Sequence, residues 1–448
     1  MLNAKGRLVV TAVMVLAGML SARAFEAYEC MFWDDLRDWN TPRLIDETAC
    51  HTALPYNPLL PDNATLNGVY PPPYTTRAEW LAGGWTRDKW VKTYLDAAQA
   101  RGMTVILSCA ELLKEEKNQP TVYSWADFTQ YVKTFKDHPA VKGWYLADEP
   151  TDNSLLEACK TGHNIIRKIC GSTKPIYMAF EYQALVPKMA AVYQDTYDIM
   201  MFDHYICVTG EPEFNRFATW AGHPYPGWKE YCTEAMAQAS ALGKPFINIL
   251  QAQGRDEASS NYRLPTYNEA RFMTFWSVLK GSAGVSFWAM DQLINETKAY
   301  PGDLYPANGA TWQIAVAKPI CQELEKLKYA LGAGPVLNGV TGKTASLLSK
   351  IYRDPATGKY YLLTVNDSVS AVAAVTLSIT VPGHWSQLAE YGGGSVPVVG
   401  NQVLLGSYAK YQVRNFELVP RPKLTLTESV GAYFRGLARD VRARFRTP

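Results

Sequence analysis

The stretch Val141-Lys142-Gly143-Trp144-Tyr145-Leu146-Ala147-Asp148-Glu149-Pro150 is an apolar run that stops abruptly at two carboxylates and a proline. A run of this length reads as a buried strand, and the proline, which has no N–H to give to a ladder, marks its end. Just upstream, Ala126 to Phe135 has helical periodicity. Downstream, Leu155 to Ile169 has it again, before another apolar run from Pro175 to Phe180. Helix, strand, helix, strand at this spacing is the repeat of a parallel sheet covered by helices.

The same rhythm continues in both directions. Phe25 to Trp33 reads as a first strand. Trp90 to Ala100 is an amphipathic helix, punctuated by Gly102 before the strand Met103 to Ser108. Tyr197 to Phe202, Pro245 to Leu250 and Gly284 to Ala289 are three more strands, with helices over Glu230 to Ala241 and Asn268 to Leu279. A second strand is expected between Ala53 and Trp85, a stretch whose Pro, Asn and Tyr residues otherwise read as long loops. Eight strands with helices between them, and no Gly-rich nucleotide turn, predict an α/β fold of the (β/α)8 TIM barrel type over residues 25–330. Beyond Gly332 the texture becomes β-branched and aromatic, in Lys350 to Val365, Val372 to Val381 and Val403 to Val419. Turn signals stand at Pro355 to Gly358 and Gly392 to Gly394. This predicts a small antiparallel β-sandwich over residues 331–420. Residues 421–448 form a basic amphipathic tail, with Tyr433, Phe434, Leu437 and Val441 set against five arginines. Such a helix packs on the sheet domain or touches an anionic surface.

At the other end, Lys5 and Arg7 precede the apolar run Leu8 to Leu20, and Ala22-Arg23-Ala24 offers a cleavage site. Residues 1–24 therefore read as a signal peptide, and the protein as secreted or periplasmic. A chain that is 48% hydrophobic and 19% charged is globular, and its net charge of +2 gives no reason to expect nucleic acid as a partner. The eight cysteines all follow the cleavage site, an even number that predicts disulfides in an exported chain. Cys159 with Cys170, and Cys207 with Cys232, are candidate staples, while Cys109 reads as a buried thiol. The absence of CxxC, HExxH and His clusters predicts neither a metal nor a cofactor.

The C-terminal ends of barrel strands form the functional face, so Asp148 and Glu149 stand where chemistry is done. Neighbouring carboxylates repel, and burial raises the pKa of the less solvated one, which makes a general acid near neutral pH. The segment resembles the fourth strand of the clan A retaining glycoside hydrolases. His138-Pro139 precedes the strand, Gly143-Trp144 lies within it and Glu149-Pro150 ends it, with Asp148 where that family has Asn. The resemblance implies Glu149 as the catalytic acid and a carbohydrate as substrate. The barrel is also similar to a group of exported bacterial glycosidases with an Asp-Glu-Pro strand. There the likeness is carried by Arg263-Leu264-Pro265-Thr266 and continues through Glu269, Arg271, Phe275 and Gly281.

One position departs from clan A. Its nucleophilic Glu ends strand seven, whereas here that end reads Gln251-Ala252-Gln253-Gly254. A partner carboxylate then comes from another strand end: Glu181, Asp203 or Asp291. Asp203, closing the apolar run before His204 and Tyr205, is the candidate base of an inverting reaction. Alternatively Asp148 orients an acetamido group of the sugar, as in hexosaminidases that use their substrate as nucleophile. Trp33, Tyr182, Tyr205 and Trp288 are candidate stacking platforms, and Glu181, Asp291, Gln251, Gln253 and Glu111 candidate polar contacts to substrate. The missing strand-seven Glu also fits a catalytically inactive carbohydrate-binding barrel. A serine hydrolase is disfavoured by the lack of a G-x-S-x-G elbow.

Overall fold

The computed structural model describes residues 27–34, 49–55, 82–84, 86–113, 124–185, 188–207, 227–252, 255–257, 260–262, 264–288, 312–342 and 344–422. Seven strands come first: β1 (Glu29–Asp34), β2 (Thr52–Pro55), β3 (Thr104–Ser108), β4 (Val141–Ala147), β5 (Ile176–Glu181), β6 (Ile199–Asp203) and β7 (Phe246–Gln251). A small hairpin of β8 (Arg255–Glu257) and β9 (Ser260–Tyr262) follows, then β10 (Gly284–Trp288). β1 to β7 and β10 close into an eight-stranded parallel barrel, with β10 pairing both β7 and β1. The (β/α)8 expectation is met. The second strand is found at Thr52–Pro55, at the leading edge of the window in which it was expected. Four residues with a single large aliphatic side chain, Leu54, leave too little pattern to recognise.

Helices α1 (Arg87–Ala100), α2 (Trp125–Phe135), α3 (Leu156–Cys170), α4 (Trp228–Ala241), α5 (Tyr267–Lys280) and α6 (Lys318–Gly332) accompany the strands. Alternation along each strand divides the core into two shells. Met31, Trp33, Leu54, Ile106, Tyr145, Tyr177, Met201 and Ile249 fill the barrel interior. Phe32, Leu107, Trp144, Phe180 and Phe202 point outward beneath the helices. Local signals fix the helix starts: Ser124 with Asp127, and Thr266 with Glu269, form reciprocal capping boxes. His138 and Gly143 turn out to be architectural. His138 Nδ1 accepts the Ala140 N–H at 3.2 Å, and its Nε2 lies 3.1 Å from Asp96 Oδ1, which pins the turn entering β4. A Cβ at Gly143 would meet the Pro175 carbonyl at 2.6 Å and the Tyr177 ring at 2.7 Å, so β4 and β5 approach this closely only through glycine.

The C-terminal strands are β11 (Val340–Thr341), β12 (Leu347–Arg353), β13 (Tyr360–Asn366), β14 (Val375–Ile379), β15 (Trp385–Glu390), β16 (Ser395–Val399), β17 (Gln402–Leu405) and β18 (Val413–Pro420). They pair antiparallel in the order β11-β14-β17-β16-β15-β18-β13-β12, and a bridge from Pro335 to Tyr352 brings the two ends of this order together. The sheet thus wraps, nearly closed, around one core of Ile351, Leu362, Leu377, Leu388, Phe416 and their neighbours. Its opposite face, through Tyr352, Leu363, Val365, Tyr411 and Val413, joins the outer core of the barrel. Polar contacts reinforce this junction. Arg271 of α5 forks onto Glu323 of α6 at 3.0 and 2.9 Å and donates to the Val413 carbonyl at 2.6 Å. Asn415 donates to Glu323 at 2.9 Å, and Trp276 Nε1 to Asp367 at 2.9 Å.

All eight cysteines are free thiols, which corrects the expected disulfides. Cys159 and Cys170 both lie in α3, eleven residues and so roughly 16 Å apart along its axis, beyond any disulfide's reach. Cys232 faces Asn248 of β7, with its sulfur 3.5 Å from Nδ2, rather than Cys207. Cys109 is a buried thiol, as read from the sequence. The segments 1–24 and 423–448 lie outside the described residues.

Candidate active site at the barrel mouth

Because the eight strands are parallel and closed, their last residues share one rim. β5 and β6 are in register with Glu181 beside Asp203, and β7 and β10 with Gln251 beside Trp288. Asp148 and Glu149 follow β4 directly, next to β5. Carboxylates from three consecutive strands therefore meet at the mouth.

Two local distortions aim Glu149. Between Tyr145 and Ala147 the β4–β5 register slips, so that one residue is extra on β4. Such a bulge re-aims the side chains that follow it. Glu149 itself has φ +46°, in the left-handed region, although it carries a full side chain and precedes Pro150. A non-glycine residue there is strained by about 1–2 kcal/mol, and a following proline restricts it further. Its N–H is tied to the Ala179 carbonyl at 3.1 Å. Strain that persists under such restraint is a recurrent mark of functional positions.

The aimed carboxyl meets Asp203. The two side chains lie within hydrogen-bonding reach, and Tyr205 also bonds to Asp203. Asp203 is buried, its Oδ1 has no partner among the described residues, and Glu149 is half-buried. Burial, then the Glu149 charge, holds the Asp203 carboxyl well above the usual carboxylate range. Glu181 responds in the same direction: desolvation first, then the charges of Glu149 and Asp148, push it up to about 7.

Asp148 is held separately. Tyr145, whose ring fills the barrel interior, donates its hydroxyl to Asp148 Oδ1 at 2.6 Å. Sequence reading overlooked Tyr145. Its signal is its place in a strand three residues before a strand-end acid, with a side chain long enough to climb to the rim.

The remaining candidates divide. Trp288 and Tyr205 are half-buried at the rim. Trp33 is 1% exposed and packs edge-on against Tyr145 and Trp288, with ring centroids 4.9 and 4.8 Å away. It forms the floor beneath the site rather than a face open to a sugar. Gln251 is fully buried. Its Oε1 accepts the N–H groups of Ile206 and Cys207 at 2.8 and 2.7 Å, and its Nε2 donates to the Cys207 carbonyl at 2.9 Å. The amide thus fixes the loop that follows Asp203. Tyr182 and His204 pack with Tyr231 in an aromatic cluster, where burial drives the His204 pKa down to about 3 and keeps the ring neutral. Asp291, Gln253 and the Glu111 side chain lie outside the described residues.

No protein-family model and no curated protein matches the chain. Its fold does match solved structures. One described as a glycoside hydrolase is 13% identical, with a TM-score of 0.51 over 89% of this chain and 93% of the other. An Anoxybacillus α-amylase is 11% identical, with a TM-score of 0.51 over 90% and 99% of the two chains. A β-L-arabinopyranosidase of glycoside hydrolase family 27 from Geobacillus stearothermophilus is 11% identical, with a TM-score of 0.52 over 91% and 99%. At these identities the likeness is one of fold: a glycoside-hydrolase-like barrel followed by a β-domain.

Proposed function

We propose that the chain is an exported glycoside hydrolase, secreted or periplasmic, that cleaves an oligosaccharide or polysaccharide with Glu149 as proton donor. The observation that carries this reading is the contact of Glu149 with Asp203 at the barrel mouth, beneath a strained backbone that aims Glu149. Near neutral pH two touching carboxyls hold one proton between them, because both cannot ionise side by side. Glu149 is the more exposed member, so it delivers that proton to the leaving glycosidic oxygen. Asp203, buried behind it, shares that proton until Glu149 delivers it, and the water that completes the hydrolysis gives a proton back to the pair. The barrel fold supports a carbohydrate substrate, and Trp288 and Tyr205 offer partly exposed rings to a sugar face.

The hold of Tyr145 on Asp148 favours one way of completing the reaction. A carboxylate fixed beside the proton donor can orient an acetamido group of the substrate, which then attacks the anomeric carbon in place of a protein nucleophile. In this scheme Asp148 stabilises the positive charge that develops on that group. The apolar run and cleavage site of residues 1–24 support export, and the arginine-rich tail supports contact with an anionic surface.

The test compares wild type with Glu149→Gln on substrates with poor and good leaving groups. We expect turnover to fall roughly 100-fold or more where the leaving oxygen needs a proton, and far less where it does not. Equal and complete loss on both would remove Glu149 from the role of acid. Sugar binding without turnover by the wild type on any substrate would favour the inactive binding barrel instead.

A further inference from the structure

Away from the mouth, three cysteines from three separate parts of the chain converge. Cys30 stands near the start of β1, Cys50 two residues before β2, and Cys321 in α6. Their sulfurs are 3.0 Å (Cys30 to Cys50), 3.1 Å (Cys50 to Cys321) and 3.5 Å (Cys30 to Cys321) apart. Among the described residues this is the one group of His, Cys, Asp or Glu side chains whose donor atoms converge closely enough to share an ion. Cys50 and Cys321 are buried and Cys30 is partly open.

From this cluster we propose a structural metal site, with Cys30, Cys50 and Cys321 as thiolate ligands of a Zn2+ ion. A disulfide engages two sulfurs, whereas the near-equilateral triangle here singles out no pair. Two Zn–S bonds of about 2.3 Å at a tetrahedral angle place their sulfurs roughly 3.7 Å apart. Each edge of the triangle is shorter than that by a few tenths of an ångström to rather more than half an ångström, a movement within reach of side-chain rotation. Three soft donors select a thiophilic ion over Ca2+ or Mg2+. The convergent side chains supply three ligands, which leaves the fourth position to water; His51, next to Cys50, and Glu325, one helical turn beyond Cys321, lie 3.8 Å from each other and do not join the three sulfurs.

The location suits a staple. β2 has only four residues, and its neighbour β1 opens the barrel, while α6 is the helix that follows the final strand. An ion held by all three would lock the shortest barrel strand and close the seam between the beginning and the end of the barrel. Binding free energy at such a site becomes folding free energy.

Full-length protein purified under reducing conditions, without chelator, is analysed for metal by mass spectrometry. About one Zn2+ per chain is expected. Co2+ exchanged into the site should show thiolate-to-metal charge-transfer absorption. Cys321→Ser should lose the metal, whereas Cys159→Ser, which removes a buried thiol outside the cluster, should keep it. Alkylation of unreduced, denatured protein followed by peptide mapping gives a readout independent of how the variants fold. A disulfide joining any two of Cys30, Cys50 and Cys321 would overturn the proposal. So would wild-type protein that takes up no Zn2+ when the ion is supplied and produces no thiolate band with Co2+.

Discussion

Replacing Glu149 by glycine and, separately, by alanine isolates the strain at the centre of the site. Both variants lose the carboxyl and therefore share every change in charge and hydrogen bonding at the mouth. They differ in the Cβ, which at φ +46° is strained by about 1–2 kcal/mol. Against this stands the greater freedom of glycine in the unfolded chain, about 0.4–1 kcal/mol. Glycine should therefore be the more stable variant by roughly 0.5–1 kcal/mol, reversing the order found at ordinary helix and strand positions. For a chain of this size the difference amounts to roughly 0.5–1 °C in Tm. Paired urea titrations at one pH resolve it through the two midpoints, provided the two slopes agree. Neither variant should turn over an unactivated substrate, so the comparison reports on the backbone alone. If the alanine variant proves as stable as the glycine variant, residue 149 is not held in the left-handed region in solution. The inference from strain to function would then lose its footing.

Two further outcomes follow from the charges. Glu181 is pushed up to about 7 from 4.5, so the folded state keeps its proton while the unfolded state has already lost it, and stability falls as pH rises between those values. Glu181→Gln removes that fall, and in thermal scans it should gain about 1–2 kcal/mol on wild type near pH 8, allowing for partial exposure, and nothing near pH 4. A gain of equal size at both pH values would contradict the assigned cause. At the domain junction, Arg271→Ala strands Glu323 as a buried, partly unpaired charge and should lower stability by about 3–5 kcal/mol in chemical denaturation. Arg271→Lys should not restore it, since an ammonium cannot reproduce the two-pronged contact. Full rescue by lysine would show that charge alone matters there.

The barrel was legible because its strands announce themselves in pairs with helices, and Val141 to Pro150 carries both the strand and the acids at its end. Periodicity stops being informative where the backbone departs from regularity. The bulge in β4 and the left-handed Glu149 leave no mark in the alternation, yet they decide where the carboxyl points. Residue type misled at Gln251, whose polar side chain serves the loop after Asp203 instead of facing a substrate. It misled again at Trp33, whose place on β1 sends its ring into the barrel interior. The cysteines show the limit of spacing as a guide. Cys30, Cys50 and Cys321 are separated by 20 and 271 residues, and only closure of the barrel makes them neighbours.

The way the sheet domain meets α5 and α6 has a bearing on the molecule's modularity. Phe272 packs on Tyr411 with ring centroids 4.7 Å apart, Tyr352 reaches the Val278 carbonyl, and Lys229 of α4 is paired with Asp367. A chain ended at Gly332 would leave this flank of the barrel facing water, with Arg271 and Glu323 deprived of Val413 and Asn415. The two parts therefore do not behave as beads on a string, open to exchange or deletion by recombination. The sheet serves as an outer wall of the barrel. Unfolding should sweep through both parts in a single cooperative transition, and the barrel cannot be inherited without the sheet.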